Sequence, residues 1–297
     1  MGCFITFILK GNAMRLRHGL ELMKPRIGIT IAATAAAGYA AVADKVEPLP
    51  MLALILSMLL GSGGSAVFNH LYDRDIDGMM KRTRNRPMVK GDVSPTDALM
   101  LSAGLTIAAL STAVMTLNWV VALHLFLGIF VYAVIYTVWL KRRTWWNIVF
   151  GGAAGSFALL AGAAVVEPSQ WLLPTLLAVT LFLWTPSHFW ALAILLADDY
   201  RAARIPMLPV VVGERLTARL ILLNSVLLAG SSLLPWGLGL LSTLYGWTAT
   251  GLGLVLIGLN LKLVATPSRR WAGWNFAWSI PYLLGLLIAI ALDRHWS

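Results

Sequence analysis

Between residues 69 and 87 the chain reads N-H-L-Y-D-R-D-I-D-G-M-M-K-R-T-R-N-R-P, which holds three of its 13 acidic residues. If the helix entering this stretch continues, Asn69, Asp73 and Asp77 fall at i, i+4 and i+8. Each such step turns only about 40° round the axis and rises about 6 Å, so the three side chains form one oxygen-lined ridge. Asp75 points the other way, and Lys81, Arg82, Arg84 and Arg86 follow at once. Carboxylates on one ridge beside a cluster of cations suit a divalent metal that holds a polyphosphate.

Two other readings cover the same residues. Asp73-x-Asp75-x-Asp77-Gly78 reproduces the opening of an EF-hand calcium loop, but its twelfth position must be a bidentate glutamate and here is Arg84. The plainer alternative is a set of ordinary charges capping a transmembrane helix. Oxygen ligands paired at four-residue spacing favour the metal reading over both.

The elements that must carry this ridge are membrane spans. The chain has 297 residues, 59% hydrophobic and 12% charged, with mean hydropathy +0.77; a soluble globular chain is about a quarter charged. Nine apolar blocks are long enough to act as spans, at residues 27–42, 49–67, 98–117, 119–140, 147–166, 171–197, 216–238, 244–261 and 276–292. All of the 23 Lys and Arg except Lys45 and Arg294 fall on one side of them. The positive-inside rule then puts the N-terminus in the cytoplasm and, after nine spans, the C-terminus outside. The expected organisation is an N-terminal cytoplasmic segment, 1–23, and one transmembrane domain, 24–297. The fold class is all-α: a polytopic bundle of nine transmembrane helices around a central cavity.

The net charge of +10 therefore points to membrane topology and anionic head groups of the lipid bilayer. No basic arm is interleaved with stacking aromatics, so no nucleic-acid partner is expected. The single cysteine, Cys3, rules out an intrachain disulfide and a thiolate metal cluster. Met1-Gly2-Cys3-Phe4-Ile5-Thr6 matches a myristoylation pattern by sequence, which a multi-span protein does not need. No cleavable signal is expected, and Met14 is an alternative start.

Two further polar groups join the ridge on the cytoplasmic face. One is Tyr136-Thr137-Val138-Trp139-Leu140-Lys141-Arg142-Arg143 with Asn147 and Gly151-Gly152. The other is Trp184-Thr185-Pro186-Ser187-His188, ending in Asp198-Asp199-Tyr200-Arg201 and Arg204. A transporter would place ionisable groups near the midplane with access from both faces. Charges gathered at one end of an apolar chamber suit an amphiphile with a hydrocarbon tail and an anionic head. Arg86-Pro87-Met88-Val89 and Ile205-Pro206-Met207-Leu208 form a weak internal echo between two halves.

These runs resemble the UbiA-type intramembrane prenyltransferases, and within them the branch that farnesylates heme. The resemblance is carried by L-x-K-P-R-I at 22–27, N-x-x-x-D-x-D-I-D-x-x-M-x-R-T-x-x-R-P at 69–87 and Y-T-x-x-L-K-R-x-T-x-x-N-I-V at 136–149. W-T-P-x-H-F-W-A-L-A at 184–193 and D-Y-x-A-A-x-I-P-M-L-P-V-V at 199–211 complete it. The motifs are ordered, correctly spaced and spread over most of the chain.

The resemblance implies an enzyme of a bacterial inner membrane, its active site facing the cytoplasm. It would lose diphosphate from farnesyl diphosphate with the help of Mg²⁺, and the allylic cation would attack a vinyl group of heme B. Water then completes the hydroxyethylfarnesyl chain of heme O, which terminal oxidases use directly or after conversion to heme A. Heme A synthase or terminal-oxidase assembly is the implied partner. Asn69, Asp73 and Asp77 would hold the metal, with Asp199 a further ligand. Lys81, Arg82, Arg86, Tyr136, Lys141, Arg142 and Arg201 would bind the diphosphate. His188 would face heme as a propionate partner or iron ligand, or help activate water; otherwise it is a helix-to-helix hydrogen bond. The wider family carries paired aspartates four residues apart on its sixth helix. This chain has Thr185 and His188 there, which sets it apart from enzymes acting on quinone-ring or other aromatic precursors. A heme-binding or oxidase-assembly protein without catalysis would keep His188 and would not need the Asn69–Asp77 ridge.

Overall fold

The computed structural model describes residues 16–166 and 171–296. The expectations resting on Met1, Cys3 and Met14, and on Lys10 and Arg15, lie outside the described residues. Each of the nine apolar blocks falls on helix, and among the described residues there is no strand.

Proline and polar caps set the helix starts. A short amphipathic helix, α1 (Leu16–Met23), leads into α2 (Pro25–Val42), where Pro25 occupies the first turn, a place that lacks a hydrogen-bond partner for N–H anyway. Pro48 opens α3 (Pro48–Tyr72). The chain bends at Asp73 into α4 (Arg74–Met79), passes through a turn to α5 (Pro87–Lys90) and reaches α6 (Pro95–Thr116), capped by Ser94. Asn118 caps α7 (Trp119–Phe130) by accepting the Val120 and Val121 amides, both at 2.9 Å. The helix then widens into a π-helix over Val131–Leu140.

Two short helices, α8 (Asn147–Gly151) and α9 (Ala153–Ala163), precede α10 (Leu172–Leu195) and α11 (Ala197–Ala202). Then come α12 (Leu208–Gly237), broken at Gly213 with φ 79°, α13 (Thr243–Ala265) and α14 (Arg269–Trp296). The apolar block at 216–238 begins later than its helix because Glu214 and Arg215 follow the break, whereas the helix already starts at Leu208.

Among the described residues seven helices are long and apolar enough to cross a membrane: α3, α6, α7 with its π-helix, α10, α12, α13 and α14. The alanine-rich α2, of 18 residues, and the shorter apolar stretch Asn147–Ala163 complete the bundle. Helices consecutive in sequence pack side by side from α2 round to α14, and α14 returns to α2, closing a ring. Helices α9 and α10 also cross to α2, and α10 to α14. The α2–α9 crossing is the tightest. A Cβ on Gly162 would lie 1.8 Å from the Ala35 carbonyl oxygen, and one on Gly38 2.1 Å from that of Leu159. Leu52, Ile107, Leu123, Leu223, Leu254 and Ile288 face outward, as a lipid-facing surface requires.

Candidate active site

The helical ladder survives the bend at Asp73. The Asp73 amide donates to the Asn69 carbonyl at 3.0 Å and the Asp77 amide to that of Asp73 at 2.8 Å. Asn69, Asp73 and Asp77 therefore share one buried face, with Asp73 0% and Asp77 1% exposed. Asp75 is exposed on the other face, as its spacing requires.

Three chain segments converge on this ridge. From the end of the π-helix, Lys141 reaches Asp73 Oδ2 across 68 residues. Asn69 Nδ2 donates to Asp73 Oδ2 at 2.7 Å and to Thr137 Oγ1 at 3.2 Å, and the Thr137 hydroxyl donates to the Tyr132 carbonyl at 2.8 Å. From the turn before α5, Arg86 pairs with Asp77 Oδ2 at 2.5 Å. From the start of α2, Lys24 Nζ donates to Asn69 Oδ1 at 2.8 Å. Lys24 sits in the left-handed region, φ 50° and ψ 61°, directly before Pro25.

The cluster carries more positive than negative charge. Lys24, Arg86 and Lys141 surround Asp73 and Asp77. Burial, followed by repulsion from Arg86 and Lys141, pushes the Lys24 ammonium down to about 7. Asp77 Oδ1 and both ring nitrogens of the buried His70 have no hydrogen-bond partner among the described residues. A buried polar atom without a partner costs about 1–3 kcal/mol, so the site has acceptors and donors left for a ligand.

The remaining expected residues divide. Arg142 donates to both oxygens of Asp75 at 2.7 Å and to the Tyr72 carbonyl at 2.9 Å, and it approaches Asp73 at 3.5 Å. That fork holds the Asp75 carboxyl below the usual carboxylate range. Tyr136 stacks on Tyr132 at 5.6 Å and lies 5.8 Å beneath Lys141. Its close approach needs Gly151, where a Cβ would lie 2.9 Å from the Tyr136 ring; Gly152 lies as close to Thr185.

Lys81 and Arg82 are exposed, and their backbone amides donate to Asp199 at 3.2 and 3.4 Å. Asp199 thus ties α11 to the loop after α4. Arg201 pairs with Asp198 at 2.9 Å on the exposed surface and is not brought to the cluster. His188 lies on α10 against α14, where its Nδ1 meets Ser279 Oγ at 2.5 Å.

Below the ridge lies an apolar cavity, part of it open at the surface. Met58, Ser62 and Ala66 line it from α3, the face that continues upward into Asn69 and Asp73; Tyr132 and His124 line it from the opposite wall. Lys24 stands at its charged end. Sequence reasoning placed Lys24 on the positive side and in the motif at 22–27 without giving it a role at the site, and did not single out His70. Their signals were a lysine before the proline that opens a span, and a histidine next to the first residue of the ridge.

The UbiA prenyltransferase family model matches residues 31–291. The chain is 62% identical over 283 residues to protoheme IX farnesyltransferase 1 of Paramagnetospirillum magneticum, covering 95% of this chain and all of that protein. It is 42% identical to protoheme IX farnesyltransferase of Rhizobium etli, covering 94% and 89%. Among solved structures, a digeranylgeranylglyceryl phosphate synthase superposes with TM-score 0.79 at 17% identity over 94% of this chain and 98% of that one. A UbiA homolog from Archaeoglobus fulgidus bound to GPP and Mg²⁺ gives TM-score 0.69 at 17% identity, covering 94% and 99%. These structures share the fold. The chain is a multi-span membrane prenyltransferase and belongs to the UbiA prenyltransferase family.

Proposed function

We propose that this protein transfers the farnesyl group of farnesyl diphosphate to a vinyl group of heme B, giving heme O. The acceptor is inferred from relatives of 62% and 42% identity named protoheme IX farnesyltransferases. The observation that carries the chemistry is the continuity along α3: one helix face runs from Met58 through Ala66 in the apolar cavity to Asn69 and Asp73 in the charged cluster. A hydrocarbon tail lying against the lower part has its diphosphate against the upper part.

The residues fit a magnesium ion. Asp73, Asp77 and the Asn69 carbonyl oxygen are hard donors, and Asp77 Oδ1 has no other partner. Two buried carboxylates suit Mg²⁺, which is held by one or two carboxylates while water and substrate phosphates complete its shell. When bound there, Mg²⁺ stabilises the charge that grows on the departing diphosphate.

The chain's own groups do the rest. Lys24, Arg86 and Lys141 neutralise the leaving group as the C1–O bond breaks, with Lys81, Arg82 and Arg142 at the rim. Asp199 is a second ligand or, in the geometry seen, an anchor of the loop that bears Lys81 and Arg82. Tyr136, Tyr132 and the apolar walls keep water from the allylic cation. C1 then bonds to the terminal vinyl carbon of heme, water adds to the adjacent carbon, and one proton leaves. We infer nine spans forming one domain over 24–297 in a bacterial inner membrane, with the charged end in the cytoplasm. The product would pass to heme A synthase or terminal-oxidase assembly.

The test incubates purified protein in detergent with heme B, farnesyl diphosphate and Mg²⁺ and measures the pigment by mass. A pigment heavier by one farnesyl group plus one hydroxyl group is expected. Unchanged heme in a preparation that binds farnesyl diphosphate would overturn the reading.

A further inference from the structure

The apolar cavity below the ridge has one open end and one closed end. Ile27, next to Lys24 in its lining, is 52% exposed, whereas Met58, Leu125 and Ala158 at the other end are buried. One turn further from the ridge, each of the four helices around it is sealed. Ala35 on α2, Leu54 on α3, Val121 on α7 and Ala161 on α9 are fully buried in one apolar cluster. In the same layer the Ala35 carbonyl oxygen lies against Gly162, so α2 and α9 leave no gap between them. A chain that enters beside the ridge meets a floor.

The distance to that floor can be read along α3. Met58 lies eleven residues before Asn69, a rise of about 16 Å. An isoprene unit adds four chain bonds of about 1.5 Å, or about 5 Å along an extended zigzag. Three units fill the distance, and a fourth finds no room.

The stiffest side chain at the floor is His124, which lines the cavity there. Met58 is unbranched and can turn aside. The His124 ring is held on three sides. Its Nδ1 meets the Val120 carbonyl oxygen, one turn back on α7, at 2.9 Å, and that oxygen can only accept. The ring stacks on Trp171, just before α10, at 6.0 Å and leans on Phe157 of α9 at 6.2 Å. Displacing it would break a hydrogen bond and two aromatic contacts together.

We propose that His124 is the stop that limits the prenyl chain accepted by this cavity to three isoprene units, with Trp171 and Phe157 bracing it. This rests on the reading of a prenyl diphosphate as donor and adds what sets the donor's length.

The test measures, by calorimetry with Mg²⁺ and without heme, the binding of geranyl, farnesyl and geranylgeranyl diphosphate to the full-length protein in detergent. Wild-type protein is expected to bind the farnesyl compound at least about tenfold tighter than the geranylgeranyl one, because a fourth unit overpacks the floor. It should bind the geranyl compound more weakly than the farnesyl one, since less apolar surface is buried. His124→Ala removes the stop and should bind the farnesyl and geranylgeranyl compounds alike. His124→Phe loses the hydrogen bond but keeps a ring against Trp171, and should keep the wild-type order. If His124→Ala fails to fold, Ala158→Val decides: it narrows the same level from α9 and should shift preference toward the geranyl compound.

The wild-type preference in His124→Ala or in Ala158→Val, a His124→Phe variant as permissive as His124→Ala, or wild-type protein indifferent to a fourth unit overturns this inference alone. Wild-type protein that binds none of the three compounds overturns the proposed function with it.

Discussion

The Lys24 ammonium donates to Asn69 Oδ1 at 2.8 Å, joining the first residue before α2 to the first residue of the ridge on α3. The contact is held at a backbone cost. Lys24 occupies φ 50°, a region favoured by glycine, and the residue before a proline normally avoids helical conformations. Strain of this kind at a site is retained when the side chain it places is needed.

Lys24→Gly is the variant that separates the two. It removes the ammonium while fitting the left-handed backbone, so its thermal midpoint should stay within a few degrees of wild type or rise. Its kcat/KM for farnesyl diphosphate should fall about 10–100-fold, the worth of one hydrogen bond to a charged group. Unaltered kinetics would show that Lys24 serves only the helix start.

Asp77→Asn preserves the shape of the carboxylate and an oxygen for Arg86, but removes the negative charge at the unpartnered Oδ1. Turnover should fall at least about 100-fold. Chelation of divalent metal should silence the wild type, and Mg²⁺ should restore it, with the variant needing a higher concentration. Asp73→Ala is harsher, because Lys141, only 8% exposed, loses its partner. An uncompensated buried charge costs about 3–5 kcal/mol, so this variant should lose thermal stability as well as activity. Thermal unfolding followed beside a turnover assay distinguishes the two substitutions.

The ridge was legible because four-residue spacing is a local property. Once the Asn69–Asp77 ladder stays helical through the bend, the side chains must share a face. The apolar blocks were legible for the same reason. What pairs across the bundle was not. Arg142 and Lys141 are adjacent in sequence, yet Lys141 takes the buried Asp73 and Arg142 takes the exposed Asp75.

That division follows from the π-helix at Val131–Leu140. Its Tyr136 carbonyl accepts from the Lys141 amide at 2.8 Å, five residues on. The wider turn changes which residues face α3 and brings both Thr137 and Lys141 to the ridge. Hydropathy has no term for that change of period, and π-helical turns occur often at functional sites. Arg201 was placed by resemblance rather than by spacing: Asp198, three residues before it, pairs with it on the exposed surface, away from the ridge.

The α2–α9 crossing supports the site from below, and it tests the fold independently of the chemistry. Gly162→Ala would place a methyl group 1.8 Å from the Ala35 carbonyl oxygen and 2.9 Å from the Tyr39 amide nitrogen, both backbone atoms with no rotamer to yield. Overpacking ordinarily costs about 1–3 kcal/mol, and a backbone clash belongs at or above the top of that range. The variant should give little folded protein, or a midpoint several degrees lower. Gly258→Ala, where no atom lies within 4 Å of the added Cβ, should behave as wild type.

Asp199 bears on how the two halves of the ring meet. Its carboxylate accepts the amides of Lys81 and Arg82, residues 118 and 117 positions away, so it holds the basic loop of the first half against α11 of the second. As an anchor, it makes a definite kinetic prediction. Asp199→Asn keeps one carbonyl acceptor and should retain much of the activity. Asp199→Ala should free the loop and raise KM for farnesyl diphosphate about tenfold, with a smaller loss in kcat, because ground-state binding of the diphosphate is what the loop supplies. As a metal ligand it would behave otherwise. Both substitutions would then lower kcat by at least about 100-fold and raise the Mg²⁺ concentration needed for half-maximal rate. Initial rates measured against farnesyl diphosphate and Mg²⁺ for the two variants decide between them, and the exposed position of the Lys81 and Arg82 contacts favours the anchor.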